Sequence, residues 1–251
     1  MPPPQSFALL KQLIEVGCVA NTWAELYPSQ KWRGDDSASR RFLTQGERYR
    51  LRRACYRLWL YSLAFHTPNF SRTARRSPSV MRTRAALIRS WPTFELAELL
   101  DIQLVFRQIL DSTITPSNGT VLRRHKNRHP DDPFPLVSRE LHGTTLEGWG
   151  DEITHYYVLE DMLKLNPSQL LYLYHSIMEA TQGGFNAGSS AKGLVEAFVA
   201  GLDQAGLWFE NNGETLGETI SFVIRERGGE AQEIRSAVEE RSLGVVQEDE
   251  I

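Results

Sequence analysis

The stretch TQGERYRLRRACYRLWLYSLAFH, residues 44–66, decides the fold class. Thr44 and Glu47 have the spacing of a capping box, in which each side chain accepts a hydrogen bond from a backbone amide at the start of a helix. At about 100° per residue, the apolar side chains that follow fall on two nearly opposite faces. One face carries Leu51, Ala54, Cys55, Leu58, Tyr61 and Phe65, and the other carries Tyr49, Tyr56, Leu60 and Leu63. The pattern predicts a helix to about His66 that is buried on two sides.

Helical periodicity recurs along the chain, and no alternating strand pattern of useful length appears. A second helix with two apolar faces is predicted over residues 94–110. Cap residues, first-turn prolines and apolar spacing place the others at residues 7–27, 77–90, 151–165, 168–180, 191–205 and 215–225. We predict an all-α protein, an irregular bundle of about seven to eight helices.

Composition divides the chain into four parts. Residues 1–115 form a basic helical part. Residues 116–135 form a long connector, rich in Pro, Gly and basic residues, that shows no helical pattern. Residues 136–228 form an acidic helical part, and residues 229–251 an acidic tail that we predict to be disordered or only transiently helical, because it has few large apolar residues. Whether the two helical parts make one domain or two stays open at this point.

Charge is distributed unevenly along the chain. Residues 1–130 carry 21 Lys and Arg against 9 Asp and Glu, a net of +12, and residues 131–251 carry 7 against 22, a net of −15. Between Lys31 and Arg89 there are 15 basic residues, of which 14 are arginines. Such polarity indicates charged partners or contacts between the two halves.

Two groups of arginines are the candidate contact residues. The first, the arginine ridge, is Arg50, Arg53 and Arg57, which fill one gap between the two apolar faces of the helix at residues 44–66. The second, the arginine loop, is Arg72, Arg75 and Arg76. Three interpretations are open: they bind nucleic-acid phosphates, they pair with carboxylates of the acidic half or of a partner, or they only solvate helix faces.

Signatures of catalysis and cofactor binding are absent from the sequence. No serine-nucleophile motif, phosphate-binding glycine loop or dinucleotide fingerprint occurs. His125 and His129 have the spacing of a helical metal pair, but the cations around them oppose a dication. We therefore predict no cofactor, no metal and no enzymatic activity.

Two further features bear on location. No apolar run approaches the length of about 20 residues that a membrane helix needs, and the first residues lack a secretory signal. The two cysteines, Cys18 and Cys55, do not form a disulfide framework. We expect a cytoplasmic or nuclear protein that does not enter a membrane.

Part of the first-quoted stretch resembles a known pattern. The sequences R-F-L-T-x-x-E at residues 41–47 and R-x-A-x-Y-R-L-W-x-Y at residues 52–61 are similar to a pattern in uncharacterised helical proteins of filamentous fungi, some described as F-box-like. The resemblance covers about one tenth of the chain. It implies an intracellular helical protein and supplies neither an activity nor site residues.

These observations favour a non-enzymatic intracellular interaction protein, a subunit or adaptor in a protein complex. Its partner is predicted to be another protein or its own acidic half. The alternative is a nucleic-acid-binding protein that uses the Arg-rich helical surface of residues 40–89.

Overall fold

Helices form wherever the sequence signals are strongest. The structure, a computed structural model, describes residues 6–32, 41–67, 70, 74–128, 130–131, 148–182, 191–204 and 214–242. Over these residues it contains ten α-helices and no strand, which confirms the predicted all-α class. The helices are α1 (Phe7–Lys31), α2 (Gln45–Phe65), α3 (Pro78–Ile88), α4 (Thr93–Ile109), α5 (Asn118–Arg128), α6 (Glu152–Met162), α7 (Pro167–Gln182), α8 (Ala191–Gln204), α9 (Leu216–Glu226) and α10 (Ala231–Ser242). A π-helical turn, Leu110–Ile114, continues α4.

The start of α2 is the predicted capping box. Thr44 Oγ1 accepts a hydrogen bond from the Glu47 amide at 3.2 Å, and Glu47 Oε2 accepts one from the Thr44 amide at 2.8 Å. Arg41 then holds the Glu47 carboxylate through two further hydrogen bonds of 2.5 and 2.7 Å. Two backbone amides that the helix leaves without partners are thereby satisfied, which fixes where α2 begins.

Both helical parts contribute to one buried core. Residues from α1, α2 and α4 belong to the same hydrophobic cluster as residues from α7, α9 and α10. The indole of Trp23 on α1 lies 4.4 Å from the ring of Phe106 on α4 and donates a hydrogen bond of 2.9 Å to the carbonyl of Pro167. Helix α3 packs on α9, and α10 packs on α4. The acidic and basic parts are therefore joined by apolar packing as well as by charge.

Burial on two sides is found for α4 and not for α2. On α4, Leu96 and Leu99 of one predicted face and Ile102 and Val105 of the other are all buried. On α2, the six residues of the first predicted face are buried. The four residues of its second face are exposed, so the expectation that α2 is buried on two sides is wrong: Tyr49, Tyr56, Leu60 and Leu63. The reason is that α1 and α4 flank α2, and no other described helix lies over its outer face.

The predicted connector, residues 116–135, contains a helix. The Ser117 hydroxyl accepts a hydrogen bond from the Thr120 amide, and this cap opens α5 at the Asn-Gly pair that resembles a turn in the sequence. Backbone hydrogen bonds join residues 116–118 to residues 149–150. The Trp149 amide donates to the Pro116 carbonyl at 2.9 Å, and the Asn118 amide donates to the Gly150 carbonyl at 3.0 Å. Residues 129 and 132–147 lie outside the described residues.

The predicted disordered tail, residues 229–251, also departs from expectation over part of its length. Helix α10 forms over Ala231–Ser242, because Ile234 and Val238 stand four residues apart and are both buried in the core. Two well-placed apolar residues are enough to dock a short helix on α4. Residues 243–251 lie outside the described residues.

The close approach of residues 148–150 to residues 116–118 leaves no room for a side chain at Gly148. A Cβ atom there would lie 2.5 Å from the Ser117 carbonyl carbon and 2.6 Å from the Asn118 nitrogen, both backbone atoms that cannot rotate away. We expect Gly148→Ala to lower the free energy of unfolding by about 1–3 kcal/mol, as overpacking does. The control is Gly201→Ala in α8, where the added methyl meets nothing within 4 Å and should stabilise the helix by about 0.5–1 kcal/mol. Urea unfolding measures both, and equal effects would contradict the close approach.

Candidate protein-interaction surface

The arginine ridge is held by carboxylates of α4. Arg53 makes hydrogen bonds of 2.7 and 2.8 Å to the two oxygens of Glu98, and its other terminal nitrogen lies 2.7 Å from Glu95 Oε1. Arg57 Nη1 lies 2.5 Å from Glu95 Oε2. Glu95 and Glu98 are buried, and both belong to the basic half, so these two arginines do not follow the interpretation in which the ridge pairs with carboxylates of the acidic half. The third member, Arg50, lies half-buried on α2.

Aromatic rings complete this arrangement. The guanidinium of Arg57 lies 4.6 Å from the centroid of Trp91, and that of Arg53 lies between the rings of Tyr49 and Phe94 at 5.7 and 5.9 Å. Guanidinium groups stack on aromatic faces with favourable energy. Arg53 and Arg57 therefore join α2 to α4, with their guanidinium groups paired to carboxylates and stacked on aromatic rings.

The arginine loop contacts the acidic half. Arg75 donates a hydrogen bond of 2.7 Å to the Glu214 carbonyl and one of 3.0 Å to the Glu218 carboxylate. Arg76 is exposed, and Arg72 lies outside the described residues. Pairing between the halves, as one of the three interpretations had it, is thus found at Arg75.

Two further ion pairs connect the halves. Arg89 lies 2.5 Å from Glu226 on α9, and Arg107 lies 2.6 Å from Glu160 on α6. The Arg89–Glu226 pair borders an open cleft of about 330 Å³, lined also by Val223 and Arg227. Arg227 donates hydrogen bonds to the backbone carbonyls of Arg89 and Trp91, so the cations around this cleft are already engaged by the protein.

A cluster of hydroxyl groups is buried where α2, α3 and α9 meet. The Tyr61 hydroxyl lies 2.9 Å from both Thr215 Oγ1 and Thr219 Oγ1, and Arg84 donates a hydrogen bond of 3.2 Å to Thr219. Burial raises the pKa of the Tyr61 hydroxyl. These groups are almost completely buried, so they serve the packing of α2 and α3 on α9 rather than contact with a substrate.

Two ionisable side chains near this cluster have displaced pKa values. The pKa of the Glu214 carboxyl is raised to about 7. Burial is the main cause and the charge of Glu160 adds to it, whereas hydrogen bonds from the Leu216 amide and Gln103 act in the opposite direction. Burial lowers the pKa of His66 to about 4, although its Nδ1 donates a hydrogen bond of 2.9 Å to the Lys164 carbonyl. Both shifts favour the neutral form, as expected inside a protein.

Among the described residues, no group of three or more His, Cys, Asp or Glu side chains is placed to hold a metal ion. Of the predicted histidine pair, His125 lies on α5 and His129 lies outside the described residues. Within the ranges that the structure covers, no helix has both the length and the apolar character needed to cross a membrane.

An exposed apolar surface on α1 and α2 is the candidate functional site. The apolar surface, as we call it, consists of large side chains that are between 41% and 83% exposed: Phe7, Leu10, Leu13, Ile14, Tyr56, Leu60 and Leu63. Arg52 on α2 donates a hydrogen bond of 3.1 Å to Asn21 on α1, and the Gly17 Cβ position lies 4.0 Å from the Tyr56 hydroxyl. The two helices therefore run antiparallel, and the first turns of α1 lie beside the last turns of α2.

Helical periodicity identifies the apolar residues of α2 that belong to this surface, but it assigns them to the buried core. The second apolar face of α2, which the sequence predicts to be buried, exceeds what the contacts of α2 inside the chain require, and the structure leaves it exposed. In the first three turns of α1, apolar residues fall on more than one face, which also exceeds what a single core contact requires.

Comparison with known proteins finds no matching family model, no matching curated protein and no matching solved structure.

The ion pairs of the ridge give a stability prediction. Arg53→Ala should lower the free energy of unfolding by about 2–3 kcal/mol, because it leaves the buried carboxylate of Glu98 without its bidentate cation. The control Arg76→Ala removes an exposed arginine and should change stability by no more than about 0.5 kcal/mol. Chemical denaturation of both variants is the measurement, and similar losses in the two would contradict the assigned role of Arg53.

The displaced pKa of Glu214 gives a pH prediction. A carboxyl whose folded-state pKa is raised from 4.5 to about 7 binds its proton more tightly in the folded state, so its contribution to stability falls as pH rises through this range. The stability of Glu214→Gln relative to the wild type should therefore grow by roughly 3 kcal/mol between pH 4.5 and 7.5.

Unfolding curves of both proteins across this pH range supply the test, with Glu25→Gln on the exposed side of α1 as the matched control. A difference between Glu214→Gln and the wild type that does not change with pH would rule out the assigned shift. His66, whose pKa is lowered to about 4, has the opposite effect, because it makes the protein less stable as the pH falls below 6.5. It is present in both proteins and cancels from the difference.

Proposed function

We propose that this chain is a non-enzymatic interaction protein that works as a subunit or adaptor in an intracellular protein complex, in the cytoplasm or the nucleus. The single observation that carries the proposal is the apolar surface of α1 and α2. Its seven side chains expose on the order of 800 Å² at the stated exposed fractions, more than the few hundred Å² usual for the largest apolar patch of a monomer. Surfaces of this size and composition are typical of sites that bind another protein.

The composition of the apolar surface supports the same proposal. Seven aromatic and aliphatic side chains form it, as at the centre of a protein interface, and the exposed Lys11 and Glu15 beside Leu10 and Ile14 pair with each other at 3.9 Å. Tyr56 adds a hydroxyl at the end of an apolar ring, which suits a residue that is buried only when a partner binds. If this surface stayed exposed to solvent, these side chains would only lower the solubility of the protein.

The buried ionisable groups support a role without catalysis. Glu214, Tyr61 and His66 have displaced pKa values, which often marks an active site, but each lies inside the packed junction of helices. A catalytic acid or base must reach a proton on the substrate. Their positions favour a structural role.

The ion pairs weigh against the nucleic-acid alternative. Arg53, Arg57 and Arg75, three of the six candidate phosphate contacts, are engaged by Glu95, Glu98 or α9. Binding a phosphate with these residues would require breaking pairs to carboxylates that are buried or partly buried. A specific observation in favour of nucleic acid is therefore lacking, and protein binding is the function that we propose.

The test is affinity purification from the cells of origin with three tagged forms: wild type, Leu60→Glu and the control Ile153→Glu. Leu60 and Ile153 are both exposed, but Ile153 lies on α6, outside the apolar surface. We expect at least one stoichiometric protein, which can be the untagged chain itself, with the wild type and with Ile153→Glu. Leu60→Glu should lose that protein, because a buried carboxylate in an apolar interface is strongly unfavourable. Identical recovery with all three forms would refute the proposal.

A further inference from the structure

We propose that the molecule that covers the apolar surface is a second copy of this chain, in a twofold-symmetric dimer. The inference rests on the proposed function and names the partner of the same surface. Closed twofold dimers are the commonest oligomers of soluble proteins, and they need a surface that is complementary to itself. Three properties of the apolar surface meet that requirement.

The first property is its shape. Helices α1 and α2 run antiparallel and side by side, so the surface is a two-helix layer. Two such layers that face each other make a four-helix arrangement, in which side chains of α2 from one copy fit between those of α1 and α2 from the other. Each copy supplies the missing cover for the outer face of α2.

The second property is its area. An apolar area on the order of 800 Å² from each copy gives a total near the ~1,600 Å² of a standard stable interface. Residues of α1, such as Leu13, and residues of α2, such as Leu63, both contribute, so the contact extends over both helices rather than over one exposed residue. A surface of this size therefore falls within the range of stable interfaces between proteins.

The third property is the distribution of charge around the surface. Arg48 and Arg52 precede Tyr56 on α2, whereas on α1 the exposed residues Lys11 and Glu15, which follow Leu10 and Ile14, have opposite charges and lie 3.9 Å apart. A twofold axis near Leu60 places Arg52 of each copy roughly 12 Å from the axis along α2, and so about 24 Å from its counterpart. That separation exceeds twice the Debye length of about 8–10 Å in physiological salt, so the two like charges do not oppose association. A parallel arrangement would put them side by side.

The mass of the purified full-length protein tests the inference. We expect light scattering at tens of micromolar to give twice the chain mass of 28.6 kDa for the wild type and for Ile153→Glu. Leu60→Glu and Ile14→Glu, each placing a carboxylate in the interface, should give the chain mass itself. Circular dichroism should be the same for all four proteins, because the substituted side chains are exposed in the single chain.

Cross-linking keeps the test decisive if a glutamate variant fails to fold. In a Cys18→Ser background, where Cys55 is buried, Leu60→Cys should form an intermolecular disulfide under mild oxidation, and Ile153→Cys should not. A wild type that is monomeric at all concentrations would overturn the inference, as would a dimer that persists in both glutamate variants. A monomer that still loses a cellular partner in Leu60→Glu would leave the proposed function standing with a different occupant. A wild type that is monomeric at all concentrations and recovers the same cellular proteins as Leu60→Glu would refute both proposals.

Discussion

The structure depends on the need of two buried carboxylates, Glu95 and Glu98, for cationic partners. A buried carboxylate without a partner costs several kcal/mol, so α4 can be central only if cations reach both residues. Arg53 and Arg57 of α2 supply them. This pairing sets the rotation of α2 about its axis, because one flank must face α4 while the Leu58 side faces the core. The remaining face, with Tyr56, Leu60 and Leu63, is left pointing away from the chain.

The same reasoning explains where the charge polarity of the sequence goes. The sequence has a net of +12 in the first 130 residues and −15 in the rest, and the described residues pair these charges in two ways. Arg75, Arg89 and Arg107 pair across the halves with α9 and α6, whereas the ridge pairs within the basic half. Trp23 of the basic half packs on Phe106 and donates a hydrogen bond to the Pro167 carbonyl of the acidic half. Charge orients the helices, and burial of apolar surface holds them together.

Local features of the fold could be predicted from the sequence, and non-local ones could not. Residues three or four apart determine the Thr44–Glu47 capping box, the buried face of α2 and the two buried faces of α4. A helix brings such residues together whatever surrounds it. The choice of Glu95 and Glu98 as partners of the ridge depends on which helix lies beside α2, and spacing along one helix does not reveal that. Helix α10 was missed because its docking requires only Ile234 and Val238, too few apolar residues to outweigh an acidic composition. The exposure of Leu60 was missed because an apolar face predicts burial without saying by which molecule.

The central claim is that the outer face of α2 is exposed in the single chain and covered by association, and thiol labelling at position 60 tests it most directly. The protein would carry Leu60→Cys and Cys18→Ser, with Cys55 buried and unreactive. The rate of modification by a small thiol reagent would be followed from nanomolar to high micromolar protein under reducing conditions. The account predicts rapid labelling at low concentration and a rate that falls as the chain associates. Slow labelling at every concentration would contradict it, since the face would then be covered within one chain and the rotation of α2 set by Glu95 and Glu98 would be incorrect.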